Sequence, residues 1–262
     1  MQLMILAIIA VTVIGLVCGI ALALGARFFS VQEDPRLGQV TELLPGANCG
    51  GCGFAGCAGY AAALVGGRAE ANRCPSCNPE SLARIAMVLG IAPVQALERQ
   101  AAIVLCGGGN TQTRKRFAYD GIVDCAAAAA VGGGDKACGY GCLGYGSCVR
   151  VCPVNTISIT DGVAVIHPDR CIACGRCVKA CPRGIIRMVP VNRHIHVFCS
   201  SKDTGAVVRK VCSVGCIGCR ICTKLADGAI VMDGALAVVN YDRPLDNDAV
   251  VDKCPGKCIR KV

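Results

Sequence analysis

Residues 171–182 read CIACGRCVKACP, four cysteines separated by two, two and three residues with a proline after the last. Bacterial iron–sulfur sites are built on this spacing: three sulfurs hold one cluster, and the fourth, before the proline, holds a second. One such run therefore demands a partner. It stands upstream, where Cys142, Cys148 and Cys152-Pro153 fall on the same template and Tyr145 takes the middle ligand position. Cys138, four residues before Cys142, is the obvious substitute. The expected ligand sets are Cys138, Cys142, Cys148 and Cys181 for one [4Fe–4S] cluster, and Cys152, Cys171, Cys174 and Cys177 for the other.

Between the runs, ISITDGVAVI (157–166) sets two β-rich stretches about an Asp-Gly turn, a hairpin signal. Residues 138–190 thus read as a two-cluster, bacterial-ferredoxin-like module. Gly139, Gly141 and Gly144 spell G-x-G-x-x-G, but they are interleaved with the candidate ligands and lack the strand and helix that a dinucleotide fingerprint needs. A second module follows over 191–262. In CSVGCIGCRICTKLA (212–226), Cys216, Cys219 and Cys222 keep the spacing while Ala226 replaces the fourth cysteine. Counting back from Cys254-Pro255 puts Pro244, Asn247 and Val250 where three more ligands belong. All four missing positions would serve one cluster, and Cys216, Cys219, Cys222 and Cys254 remain to hold the other.

Nearer the N-terminus, residues 45–61 read PGANCGGCGFAGCAGYA. Cys49, Cys52 and Cys57 sit among glycines that let a loop aim several sulfurs at one point, and Cys74 or Cys77 can supply the fourth. Four cysteines at short spacing also suit zinc. Leu82, Ile85, Ala86 and Leu89 recur at helical spacing, so 27–100 reads as a small helical domain around this site. In the connecting region 101–137 and beyond, Cys106, Cys125, Cys199 and Cys212 are unplaced. Cys106 ends AAIVLC and Cys199 ends HIHVFC, each a strand able to deliver a sulfur at its tip. Together the four could close a fifth cluster; otherwise they are buried thiols. Cys258 has no evident partner. His167, His194 and His196 read as structural, the last two on one exposed strand face.

Twenty-three cysteines against five Phe, five Tyr and no Trp is not the composition of an ordinary core. The formal net charge of +9 counts those cysteines as neutral. Each oxidised cluster with its thiolates contributes roughly −2, so four bring the holoprotein near neutrality, and nucleic acid is not an expected partner. Arg114, Lys115 and Arg116 read as a solvated loop. Paired carboxylates, a nucleophile–base pair and a phosphate loop do not emerge from the chain, which argues against substrate chemistry of its own.

Leu3 to Leu24 is uncharged and long enough to span a bilayer as a helix. Positive charge follows it, at Arg27 and Arg36, rather than preceding it. That is not a signal peptide's pattern, and it predicts a single-pass anchor over 1–26 with the globular part on the cytoplasmic side of the inner membrane. A reducing compartment suits thiolate ligands better than disulfides. Cys18 lies inside the helix and reads as a plain apolar residue.

The apolar N-terminal helix, PGANCGGCGFAGCAGYA with a later Cys74-Pro75, then KACGYGCLGYGSCVRVCP, CIACGRCVKACP and VGCIGCRICTK resemble, in this order, the B subunit of Rnf ion-translocating oxidoreductases. The family's Cys-Pro pattern favours Cys74 over Cys77. The resemblance implies an α+β electron-transfer subunit of a translocase, with four [4Fe–4S] clusters and room for a fifth. It implies soluble ferredoxin as donor, other membrane subunits and lipid as partners, and NAD+ reduction coupled to Na+ or H+ transport. The same subunit type also serves complexes that reduce a redox-sensing transcription regulator. The last module departs from longer relatives in keeping ligands for one cluster instead of two.

Overall fold

The computed structural model describes residues 2–28 and 34–262. Helix α1 (Gln2–Phe28) is apolar on every side, and nearly all of its described side chains are exposed. It is the one helix among the described residues long and apolar enough to cross a membrane.

Three helices, α2 (Pro35–Leu43), α3 (Gly56–Val65) and α4 (Pro79–Leu89), form the first globular unit. Asp34 caps α2 by accepting from the Arg36 N–H, and Asn78 caps α4 through Ser81, each with proline opening the helix. Val40, Tyr60, Leu64, Leu82 and Ile85 meet at the centre. The Tyr60 hydroxyl donates to the carbonyls of Glu70 and Ala71, which fixes the segment leading to Cys74.

Next come β1 (Gln100–Val104), α5 (Cys125–Ala130), α6 (Ser147–Arg150), the hairpin β2 (Ile157–Thr160) and β3 (Val163–Ile166), α7 (Arg176–Ala180) and β4 (Ile186–Pro190). The Asp161-Gly162 turn forms as read, with both residues at positive φ. The outer ribbon is less local: β1 pairs antiparallel with β4, Gln100 opposite Pro190 and Val104 opposite Ile186. The segment before Cys138 therefore supplies a strand of the ferredoxin-like module.

The same plan repeats with β5 (Ile195–Val197), α8 (Gly205–Val211), α9 (Ile221–Leu225), the hairpin β6 (Ile230–Asp233) and β7 (Leu236–Val239), α10 (Ala249–Asp252) and β8 (Ile259–Lys261). Here β5 pairs with β8 as β1 pairs with β4. Each short helix that follows a cysteine loop starts after a left-handed residue: Gly146 before α6, Gly175 before α7 and Arg220 before α9. Only the third lacks the freedom of glycine.

Candidate metal centres

All twenty-three cysteines are free thiols, and by the cavities they line and the neighbours they have, twenty of them sort into five candidate groups, sites I to V in the order met along the molecule. Among the described residues, no three Cys, His, Asp or Glu side chains converge tightly enough for a single metal ion. At sites III, IV and V the cysteines line small cavities, a donor set of thiolates that suits an iron–sulfur cluster.

Site I holds Cys49, Cys52, Cys57 and Cys74. The Cys57 N–H, in the first turn of α3, donates to Asn48 Oδ1 at 2.8 Å, which folds the loop back on itself. Burial raises the Cys74 thiol, and Cys52 and Cys49 add to the shift. Cys77, pushed up to about 11 by burial, has Cys74 as its sulfur neighbour and donates its N–H to the Cys74 carbonyl. Of the two, Cys74 is the one with Cys49 and Cys52 among its neighbours.

Site II holds Cys152, Cys171, Cys174 and Cys177. Burial raises Cys174, whose nearby charges are Cys49, Cys152 and Cys171, and drives Cys177 up to about 12. The Ala102 N–H donates to Cys171 Sγ at 3.5 Å. Sites I and II touch: a Cβ on Gly51 would lie 3.1 Å from Cys174 Cα, and the Ser76 hydroxyl donates to the Ile172 carbonyl.

Site III departs from the sequence reading as to which cysteine lines it. Its small cavity is lined by Cys125, Cys142, Cys148 and Cys181, with Val104, Leu143 and Ile186 around them. Cys125 takes the place expected for Cys138. It opens α5, whose cap Asp124 accepts from the N–H groups of Ala126 and Ala127. Ser147 joins α5 to α6, accepting from the Cys125 N–H at 2.8 Å and donating to Asp124 at 2.7 Å, while Arg150 pairs with the same carboxylate. Tyr145, at the vacant template position, packs edge-on against Tyr119 with ring centroids 5.1 Å apart.

Cys138 turns the other way, into site IV, whose cavity is lined by Cys106, Cys138, Cys199 and Cys212 with Gly108, Gly141, Gly215 and Thr113. The reason is the backbone before it. Arg116 donates its N–H to the Asp135 carbonyl and Ala137 donates to Arg114, which pins 135–137 along 114–116. The basic run is therefore not simply solvated. Arg116 also donates to the carbonyls of Gly132 and Gly134, and Lys115 pairs with buried Asp135 at 3.1 Å. Cys106 and Cys199 arrive beyond the tips of β1 and β5, and Cys212 ends α8. Between sites III and IV, the Cys142 N–H donates to Cys106 Sγ at 3.3 Å. Lys136, fully buried, donates to the carbonyls of Gly108 and Gly162 and ties the site IV loop to the β2–β3 turn.

Site V gathers Cys216, Cys219, Cys222 and Cys254 around one small cavity that Cys258 also lines. Cys216 Sγ accepts from the Ala237 N–H at 3.4 Å. Hydrogen bonding with Cys258 lowers the Cys254 and Cys216 thiols from the ordinary thiol range. Site IV adjoins site V through Cys199, raised to about 11 by burial, with Cys216 and Cys138 as its charged neighbours. The histidines stay out of all five groups. His196 is 3% exposed rather than on an open strand face, and its Nδ1 meets the Tyr241 hydroxyl at 3.0 Å.

Comparison with known sequences places this arrangement. A family described as a putative Fe-S cluster matches residues 44–76, the loop and segment that carry Cys49, Cys52, Cys57 and Cys74 but not Cys77. A 4Fe-4S binding domain matches residues 164–187. The chain is 40% identical over 94% of its length to the B subunit of the Na+-translocating ferredoxin:NAD+ oxidoreductase complex of Acetobacterium woodii, covering 74% of that protein. It is 39% identical to the B subunit of the ion-translocating oxidoreductase complex of Methanosarcina acetivorans, over 94% of each chain. The chain belongs to the family of B subunits of ion-translocating oxidoreductase complexes. A further member, the B subunit of the proton-translocating ferredoxin:NAD+ oxidoreductase complex of Clostridium ljungdahlii, is 38% identical over the whole chain and 94% of its own. Membership makes this an electron-transfer subunit of a translocase, with iron–sulfur domains of ferredoxin type. The names of these relatives point to ion translocation, not to reduction of a transcription regulator.

Proposed function

We propose that the chain is a serial relay that takes electrons from soluble ferredoxin and passes them through five [4Fe–4S] sites to neighbouring membrane subunits, towards NAD+. A bound cluster of this type accepts and gives up single electrons, and the protein sets its potential through hydrogen bonds, charge and burial. The observation that carries the reading is the continuous row of cysteine groups. Site I abuts II through Gly51 and Cys174, Cys177 of II neighbours Cys148 of III, the Cys142 N–H of III meets Cys106 of IV, and Cys199 of IV faces Cys216 of V.

The chain's own groups hold the sulfurs in that order, exclude water with Val104, Leu143 and Ile186, and direct backbone N–H groups at Cys106, Cys171 and Cys216. Helix α1 anchors the relay, and Arg27 and Arg36 after it favour a cytoplasmic globular part. Relatives named for Na+ and for protons are equally similar to this chain, which suits a protein that handles electrons while others move the ion.

The test is iron and acid-labile sulfide per chain in the full-length protein, purified anaerobically in detergent, with EPR after dithionite reduction. About twenty of each is expected, against about sixteen if site IV is empty; zinc with no EPR signal would overturn the reading. The grouping is read from paired variants. Cys125→Ala with Cys148→Ala should cost about four irons, and Cys138→Ala with Cys148→Ala about eight. The reverse pattern would restore Cys138 to the Cys142, Cys148 and Cys181 set.

A further inference from the structure

Three cysteines stand outside the five groups: Cys18 in the apolar helix, Cys77 behind Cys74, and Cys258. The last is 2% exposed, lines the site V cavity, and brings its Sγ to 3.7 Å from Cys254 Sγ. Its backbone is pinned, because the Phe198 N–H donates to the Cys258 carbonyl at 2.6 Å and β8 begins at the next residue.

The sister loops show what is special about it. After Cys152-Pro153 the chain passes through left-handed Asn155 to Thr156, and β2 begins. After Cys181-Pro182 it passes through left-handed Gly184 to Ile185, and β4 begins. After Cys254-Pro255 it passes through left-handed Lys257 to Cys258, and β8 begins. Cys258 therefore occupies the register of Thr156 and Ile185, both buried. The Thr156 hydroxyl is turned away to the His167 carbonyl, and Ile185 has no proton to give. Only at site V does this position offer a donor to the ligand sulfurs.

We propose that Cys258 is not a ligand but a hydrogen-bond donor to the site V thiolates, tuning the potential of the cluster they hold. Four spacing-matched cysteines already complete the ligand set, so the fifth sulfur keeps its proton and directs S–H at Cys254, 3.7 Å away. Reduction adds negative charge to the cluster and its thiolates, which strengthens that hydrogen bond and makes the site easier to reduce. The inference rests on reading site V as a [4Fe–4S] site.

The experiment compares full-length, anaerobically purified Cys258→Ala, Cys258→Ile and Cys258→Ser with the parent by iron and sulfide content and by an EPR-monitored redox titration. The site V signal is the one that disappears in Cys222→Ala. Iron content should be unchanged, and site V about tenfold harder to reduce in the Ala and Ile variants, a shift of about 59 mV for one electron. The Ser variant, which keeps a donor, should fall between. Loss of about four irons in Cys258→Ala would make Cys258 a ligand, and a retained cluster with an unmoved midpoint would make it an inert packing thiol. Either result overturns the proposal. If Cys222→Ala itself costs no iron, the assignment of site V falls, and the donor role with it.

Discussion

The two ferredoxin-like modules share one plan and fill it differently. In the first, β1–β4 and β2–β3 enclose two cysteine groups, and cysteines make up much of what is buried between them. In the second, β5–β8 and β6–β7 enclose one group. The space of the other is closed by Ala226, Leu245 and Val250, all buried in a larger apolar cluster. Val250, 1% exposed, stands at one position where the template wants a cysteine, and Ala226, 5% exposed, at another. Asn247, at a third, donates to the Leu225 carbonyl at 2.9 Å. The strand frame does not require a second metal centre, because ordinary apolar burial does the same mechanical job.

That contrast is open to test. The largest effect should come from stripping the iron with a chelator under reducing conditions. Amides of β1–β4 and β2–β3 should then lose hydrogen-exchange protection, while β6–β7 keeps much of its own. Equal loss in both modules would erase the distinction. A smaller effect is expected from Val250→Ala, which removes buried methyl groups from the substitute core. It should destabilise the second module by about 2 kcal/mol in denaturant titration with iron content unchanged. No change in stability would mean that Val250 packs nothing.

A third effect concerns acid. Burial lowers His196 on β5 from 6.5 to about 4, so folding favours the neutral ring and the unfolded chain binds the extra proton between those values. This contribution to stability is whole above about pH 6.5 and is lost as the pH falls towards 4. His196→Gln should flatten the pH dependence of the second module's melting temperature across that interval. A slope as steep as the parent's would place the acid sensitivity elsewhere.

Most of the frame was legible because iron–sulfur ligation imposes local spacing, and the Asp161-Gly162 hairpin announced itself. Strands ending at Cys106 and near Cys199 were likewise readable as carriers of a sulfur. The exchange of Cys125 for Cys138 was not, because it depends on where distant segments meet. Cys138 lies close to Cys142 in sequence, yet the pairing of 135–137 with 114–116 aims it at Cys106, Cys199 and Cys212. A faint signal for Cys125 existed in Asp124, a helix cap that places Cys125 at the first position of an alanine-rich helix. His196 misled for the opposite reason, since alternation along β5 fails when both faces of the strand are covered and Ile195, His196 and Val197 are all buried.

Gly51 has no side chain to offer a metal, yet it stands where two folding units touch, and a methyl group there would meet the Cys174 backbone at 3.1 Å. In a serial conductor the slowest hop governs the current, and hop rates fall steeply as the gap widens. In the serial relay proposed above, the throughput of the whole molecule would be hostage to one missing carbon atom. A position with no chemistry of its own becomes a throttle on everything downstream.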